Sequence, residues 1–170
     1  MRFFLIDRIT RWDVGQSAEA VKNVALSEDF FDDHFPRRPV MPGVLMIEGM
    51  AQLSGLLLEF SLREKYDQDA KAVLTILERT KFRGLVQPGD SLLYRTEIVS
   101  LNQSGGKVSA QAVREGKVVV TTGMVFAFRH VEDPLLEQKR QALMQVWTQP
   151  TRASQRSSNA ASQSSTGLGG

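Results

Sequence analysis

The stretch GVLMIEGMAQLSGLLLEFSLREKY, residues 43 to 66, decides the fold of this chain. Apolar residues occupy most of its faces as far as Phe60, after which the segment becomes charged. A helix that is apolar nearly all round is a buried helix, and about 24 residues would span about 36 Å. Pro42 suits the first helical position, where no N–H is needed. The stretch therefore predicts one long central helix beginning at Pro42.

The rest of the domain has the composition of β-strands. Two strands precede the helix, with Gly15 in the turn between them, and longer strands follow it, with QPGD and then Glu115-Gly116 as turn signals. Long antiparallel strands after one buried helix predict an α+β domain with a sheet wrapped around the helix. The predicted strand segments are residues 2–12, 18–26, 71–86, 91–102 and 105–131.

Composition excludes several classes of function. The chain has 170 residues, of which 42% are hydrophobic and 24% charged, as in an ordinary soluble domain. It has no cysteine, which excludes disulfides, thiolate zinc sites and a cysteine nucleophile and is compatible with the cytoplasm. The net charge of +2 comes from Arg152 and Arg156 near the C-terminus, so it argues little for nucleic acid. Glu48, Gln52 and Glu59 interrupt the apolar region and argue against a membrane span.

The C-terminal part differs from the domain that precedes it. Asp133-Pro134 resembles a helix cap and first turn, and residues 134–149 would form an amphipathic helix with Leu136, Leu143 and Trp147 on one side. Residues 150–170 are rich in Ser, Ala and Gly and cannot bury enough surface to order themselves. The sequence therefore predicts a domain over residues 1–133, a packed helix over 134–149 and a disordered tail.

His34 is the first candidate for chemistry. A histidine in a loop is most often a surface or core residue, but prolines at positions 36, 39 and 42 restrict the backbone that follows this one. Histidine titrates near neutrality and can act as a base. His130, at the end of a predicted strand, has no comparable setting and is interpreted as structural.

Glu48 is the second candidate. With Gln52, Gly55 and Glu59 it forms a narrow stripe along the predicted helix, which in the simplest interpretation faces water. That interpretation suits Glu59, near the charged end. Glu48 lies among apolar residues, where an unpaired carboxylate is costly and desolvation raises a carboxyl pKa, so it is a candidate proton donor.

Gly43 supplies the third element. It lies at the helix start, where backbone N–H groups have no intrahelical partner and can hold a carbonyl oxygen that gains negative charge. A base, an acid and such a donor together suit proton abstraction next to a carbonyl, with loss or gain of a leaving group. No GxSxG, HExxH, GxGxxG or P-loop motif supports a rival chemistry.

At these residues the sequence resembles a known family. HFPRRPVMPGVLMIEGMAQ, residues 34–52, is similar to the signature of the FabZ-type 3-hydroxyacyl-acyl-carrier-protein dehydratases of fatty-acid synthesis. LIDRI, VKNVALSEDFFDDHFP and TKFRGLVQPGDSL match the family's pattern in order, so the resemblance covers roughly residues 3–130. It implies a hot-dog fold, an acyl carrier protein as partner and a homodimer with continuous sheet, often assembled as a trimer of dimers.

The resemblance also implies roles for individual residues. His34 matches the catalytic histidine and Glu48 the catalytic acid, contributed by different subunits of the dimer. Gly43 matches the glycine whose N–H holds the thioester carbonyl, and Gln52 matches a glutamine that lines the site. The resemblance implies no metal and no redox cofactor, because the substrate itself carries phosphopantetheine.

Two further groups follow from the resemblance, each with a plain alternative. Four residues would line the acyl tunnel, unless they are ordinary core: Phe35, Val40, Met41 and Phe82. Three cations alternate along one strand and would meet an acidic carrier protein, unless they form a solvated strand face: Arg79, Lys81 and Arg83.

The chain departs from the family at several places. Arg37 stands where glycine is common, the wording before Phe82 differs, and the chain continues past the usual end near residue 133. Two other interpretations stay open: a hot-dog thioesterase or enoyl-CoA hydratase, and a non-catalytic acyl-carrier-binding subunit. The sequence does not give the acyl chain length or the pathway.

Overall fold

The structure is a computed structural model that describes residues 4–130 and 134–149. Its six strands are β1 Arg8–Asp13, β2 Ser17–Asn23, β3 Lys71–Phe82, β4 Ser91–Asn102, β5 Gly105–Arg114 and β6 Lys117–Arg129. Its helices are a short 3-10 helix, η1 (Asp29–Phe31), the long helix α1 (Gly43–Tyr66) and the C-terminal helix α2 (Pro134–Trp147). The strands form one antiparallel sheet in the order β1-β2-β4-β5-β6-β3, and α1 packs against it.

The predicted α+β architecture is confirmed, because one helix lies in the concave face of an antiparallel sheet. Alternate side chains of β2, β4, β5 and β6 are buried against α1, as expected for strands with one face on a core. The middle of α1 is buried on most sides. By length and composition α1 could cross a membrane, but 61% of its apolar window is buried inside the fold. It is therefore the core helix.

Close approach between α1 and the sheet depends on a residue without a side chain. A Cβ atom on Gly49 would lie 2.5 Å from Cε2 of Tyr94 on β4. Tyr94 is fully buried and cannot move aside. Burial also raises the pKa of its phenol, so the hydroxyl stays protonated. Gly49 thus sets how near the helix lies to β4.

The predicted boundaries differ from the structure at several places, and β2 and β3 end at Asn23 and Phe82 instead of at residues 26 and 86. Pro42 is the N-cap rather than the first residue of α1. The first strand starts at Arg8, although Leu5 and Ile6 before it are buried. The reason is that the Leu5 N–H donates to the side chain of Gln52 at 3.0 Å instead of to a neighbouring strand.

Glu59 corrects a second expectation, that it faces water. Its side chain is only 11% exposed, and it accepts a hydrogen bond from the Ala72 N–H at 2.8 Å. Arg140 of α2 lies 2.8 Å from its carboxylate and Lys71 of β3 lies 3.8 Å away. The position of Glu59 near the charged end of α1 led to the wrong prediction, because α2 covers Glu59 in the fold.

The C-terminal helix α2 spans Pro134–Trp147. Trp147 is buried and Leu143 is partly buried against the core, whereas the side chain of Leu136 lies outside the described part of the chain. The predicted tail over residues 150–170 also lies outside the described residues. α2 is thus packed on the domain through its C-terminal half and through the ion pairs of Glu59 and Lys71.

Candidate active site

His34 is held by the loop that follows it. Its main-chain N–H donates to Phe30 O at 3.1 Å, and its C=O accepts from the Val40 N–H at 3.0 Å. The ring nitrogen Nδ1 lies 2.7 Å from Val40 O. Because a carbonyl oxygen only accepts, Nδ1 carries the proton and donates it, which leaves Nε2 with a free lone pair. The loop therefore presents His34 with Nε2 as the basic atom.

A buried lysine anchors the segment that leads to this loop. Lys22 of β2 is 5% exposed and lies 2.5 Å from the Glu28 carboxylate and 3.6 Å from Asp7. Glu28 immediately precedes η1, and its C=O accepts from the Phe31 N–H. Buried charges are stable only when paired, so this contact ties the start of the His34 segment to the sheet. This pair was not predicted from the sequence.

A cavity of about 530 Å³ lies beside His34 at the start of α1. His34 and Gly43 border it together with all four predicted tunnel residues. Val40 and Met41 are buried in its wall, whereas Phe35 and Phe82 are more than half exposed at its edge. Its other lining residues are Arg38, Pro42, Val44, Met46, Gly84 and Leu85.

The charge of the cavity suits an anionic or electron-rich group. Among its lining residues, His34 and Arg38 alone have side chains that can carry charge, and neither is acidic. Arg38 is exposed and was not identified from the sequence, where the only signal was its position between Pro36 and Pro39. The apolar remainder of the wall suits an acyl chain.

Gly43 occupies the position where the helix meets the cavity. The residue before it, Pro42, provides no side-chain cap, so the first N–H groups of α1 remain available for a ligand. A Cβ on Gly43 would lie 2.6 Å from Cε1 of Phe82. A side chain at this position would therefore have to displace the Phe82 ring.

Glu48 lies outside the cavity that His34 borders. It is one turn further along α1 and does not line the cavity of His34. It is partly buried, not fully enclosed as the sequence suggested, and it accepts a hydrogen bond from Gln52 Nε2 at 3.1 Å. Within one chain the structure thus brings together His34, Gly43 and the tunnel residues but separates them from the Glu48–Gln52 pair.

The three predicted docking cations share a different surface. Arg79, Lys81 and Arg83 are exposed and border a second, shallow cavity of about 240 Å³ together with residues of β5 and β6. The neighbouring residue Phe82 borders the cavity of His34 instead, because successive residues of a strand point to opposite faces. His130 lies apart from both cavities, at the end of β6.

In the described part of the chain, no three His, Asp or Glu side chains are placed to hold a metal ion. The cavity of His34 brings together an imidazole and the first backbone N–H groups of α1. Such a set supports proton transfer next to a carbonyl, with the imidazole as base.

Comparison with known proteins identifies the family of this chain. Residues 1–123 match the model of the FabA-like domain. A 3-hydroxyacyl-[acyl-carrier-protein] dehydratase FabZ from Caldicellulosiruptor bescii is 39% identical over 127 residues, which cover 75% of this chain and 89% of that protein. The FabZ of Albidiferax ferrireducens is 37% identical over 129 residues, or 76% of this chain and 86% of that protein.

Solved structures show the same fold. The dehydratase heterocomplex ApeI:P from Xenorhabdus doucetiae has a TM-score of 0.63 at 15% identity, covering 80% of this chain and 89% of that one. At such low identity the likeness concerns the fold alone, which is the hot-dog fold expected from the sequence. With the family match over most of its length, the chain belongs to the FabA-like family.

Proposed function

We propose that this protein is a dehydratase that converts a 3-hydroxyacyl group on acyl carrier protein into a trans-2-enoyl group and water in fatty-acid biosynthesis. The observation that carries the proposal is the cavity in which the basic Nε2 of His34 and the free start of α1 at Gly43 meet in an apolar wall. Identity of 39% over 127 residues to a FabZ dehydratase supports the reaction type.

His34, Gly43 and Glu48 each carry out one part of this reaction. His34 Nε2 takes the proton from C2 of the substrate, and the Gly43 N–H holds the thioester oxygen as it gains negative charge. The electron pair of the C2–H bond forms the C2–C3 double bond, and the C3–O bond breaks. Glu48 protonates the departing hydroxyl, which leaves as water. A proton then returns from His34 to Glu48 through solvent.

We infer that Glu48 acts on the cavity of a second copy. Glu48 does not border the His34 cavity of its own chain. Among the strands that the structure describes, β3 pairs with β6 alone and forms one edge of the sheet. Val73, Ile76 and Leu77 on β3 are 45%, 52% and 44% exposed. An exposed apolar edge strand is a template for pairing with another strand. Two copies joined at β3 would form a two-fold dimer with a continuous sheet.

The carrier protein would approach where the cavity opens. Arg38 borders that opening and is suited to the phosphate of the phosphopantetheine arm. Arg79 and Lys81 on β3, and Arg83 directly after it, would meet the acidic surface of the carrier. A carrier-linked substrate of this kind places the enzyme in the cytoplasm.

The proposal is tested with 3-hydroxyacyl carrier protein as substrate, by measuring enoyl product and free thiol together. We expect enoyl product without thiol, and a loss of at least about 100-fold in kcat for His34→Ala and for Glu48→Gln. His130→Ala, at the other histidine, is the control and should keep full activity. Thiol release without enoyl product would identify a thioesterase, and binding without turnover a carrier-binding subunit.

A further inference from the structure

The helix α2 lies outside the residues that match the family model, which end at residue 123. It nevertheless contacts the polar stripe of α1, because Arg140 lies 2.8 Å from the carboxylate of Glu59. Its inner face bears Arg140 on Glu59 and the buried side chain of Trp147. α2 is thus an additional element in contact with the stripe that carries Glu48.

A continuous chain of contacts connects α2 to Glu48. Trp147 packs edge-to-face on Phe4, with ring centroids 5.7 Å apart and planes at 81°. Phe4 precedes Leu5, which is buried and whose N–H donates to Gln52 Oε1 at 3.0 Å. Gln52 Nε2 in turn donates to Glu48 Oε1 at 3.1 Å.

The Leu5 N–H determines how the Gln52 amide is oriented. A backbone N–H only donates, so the atom of Gln52 that faces it must be the carbonyl oxygen. The amide NH₂ group then points the other way, toward Glu48. This contact holds one carboxyl oxygen of Glu48 and leaves Oε2 for the substrate hydroxyl.

We propose that α2 is a positioning element for Glu48, acting through Trp147, Phe4, the Leu5 N–H and the amide of Gln52. Trp147 keeps the N-terminal segment against α1, and that segment keeps the amide turned toward the carboxyl group. This inference rests on the proposed function, since it concerns the acid of that reaction. Trp147, Phe4 and Leu5 are positioning residues, because none of them borders the cavity.

The test is a cycle of variants in the dehydration assay. Trp147→Ala should lower kcat about 5-fold with KM within about twofold, and Gln52→Met should lower kcat about 10-fold. The double variant should be no slower than Gln52→Met alone, because both changes break one chain of contacts. Trp147→Phe should restore most of the activity. Val146→Ala, next to Trp147 but 59% exposed, is the control and should match the wild type.

Independent effects of Trp147 and Gln52 on kcat predict a different result. The losses in kcat would then multiply to about 50-fold in the double variant, which would overturn the inference. Hydrogen exchange at the Leu5 amide gives a second readout without substrate: it should speed up in Trp147→Ala and not in Val146→Ala. Faster exchange with unchanged kcat would overturn positioning while leaving the proposed function intact. An inactive wild type would instead overturn the proposed function, together with this inference.

Discussion

His34 depends on its immediate neighbours for the atom it presents. Val40 uses both of its main-chain polar groups on His34, its N–H on the His34 carbonyl and its C=O on Nδ1. This pairing selects the tautomer with a basic Nε2, at the edge of an apolar cavity. At the residue scale, the loop therefore matters as much as the histidine itself.

Gly43 gives a prediction at the same scale. Gly43→Ala keeps the N–H but adds a Cβ that would lie 2.6 Å from Cε1 of Phe82. Phe82 is half exposed, so we expect its ring to shift into the cavity and the protein to stay folded. We expect kcat/KM to fall about 10-fold, equal to about 1.4 kcal/mol, with little change in melting temperature.

The matched control for Gly43→Ala is the double variant with Phe82→Ala, which removes the ring that the new methyl group meets. Steady-state kinetics should show kcat/KM of the double variant equal to that of Phe82→Ala alone. If the double variant is as impaired relative to Phe82→Ala as Gly43→Ala is relative to the wild type, the steric account is wrong.

At the scale of elements, the ion cluster between α1, β3 and α2 is the main connection of the C-terminal helix. Glu59 accepts contacts from Arg140 and Lys71, and Lys71 also lies 2.5 Å from Glu137. Burial raises the pKa of Glu59 above its ordinary value of 4.5, while Arg140, the Ala72 N–H and Lys71 lower it. The hydrogen bond from Lys71 lowers the pKa of Glu137.

The direction of the Glu59 pKa shift determines how the free energy of unfolding should depend on pH. Because its folded pKa is raised, the contribution of Glu59 to the free energy of unfolding is complete below about pH 4.5 and is lost as pH rises through the folded pKa. Arg140→Met removes the strongest opposing charge, so the free energy of unfolding should fall more steeply between about pH 4.5 and neutral pH. Urea denaturation at both pH values measures this.

Two variants isolate the titrating group. Lys139→Met removes the same charge from an exposed neighbour on α2 and should keep the wild-type slope. Glu59→Gln cannot ionise, so it should flatten the slope. An identical slope in Arg140→Met and Lys139→Met would show that Glu59 does not titrate in this window.

Local sequence was enough to place the elements but not their partners. The apolar run of α1 was predicted from the residues alone. So was the turn at Glu115-Gly116, whose two residues both have positive φ. The exposure of Glu59 was predicted wrongly because the residue that covers it, Arg140, is 81 positions away. Arg38 and Lys22 were missed for the same reason, since a charged residue gains meaning only from what the fold places beside it.

At the scale of the whole molecule, the proposed site is incomplete in a single chain. Gly43, His34 and the tunnel residues meet at one cavity, and the Glu48–Gln52 pair lies off it. The resemblance to FabZ enzymes implied this division between subunits, whereas spacing along the chain did not, because positions 34 and 48 are close in sequence. The exposed apolar edge of β3 is the surface through which a second copy would supply the acid.

Complementation between inactive subunits tests this central claim most directly. His34→Ala and Glu48→Gln chains are co-expressed in equal amounts, and enoyl formation is compared with each variant alone. Half of randomly paired dimers are mixed, and each mixed dimer has one site with both residues intact, so the activity should return to about a quarter of wild type. If mass spectrometry confirms mixed dimers and the preparation stays inactive, the site is not shared between subunits and the account is contradicted.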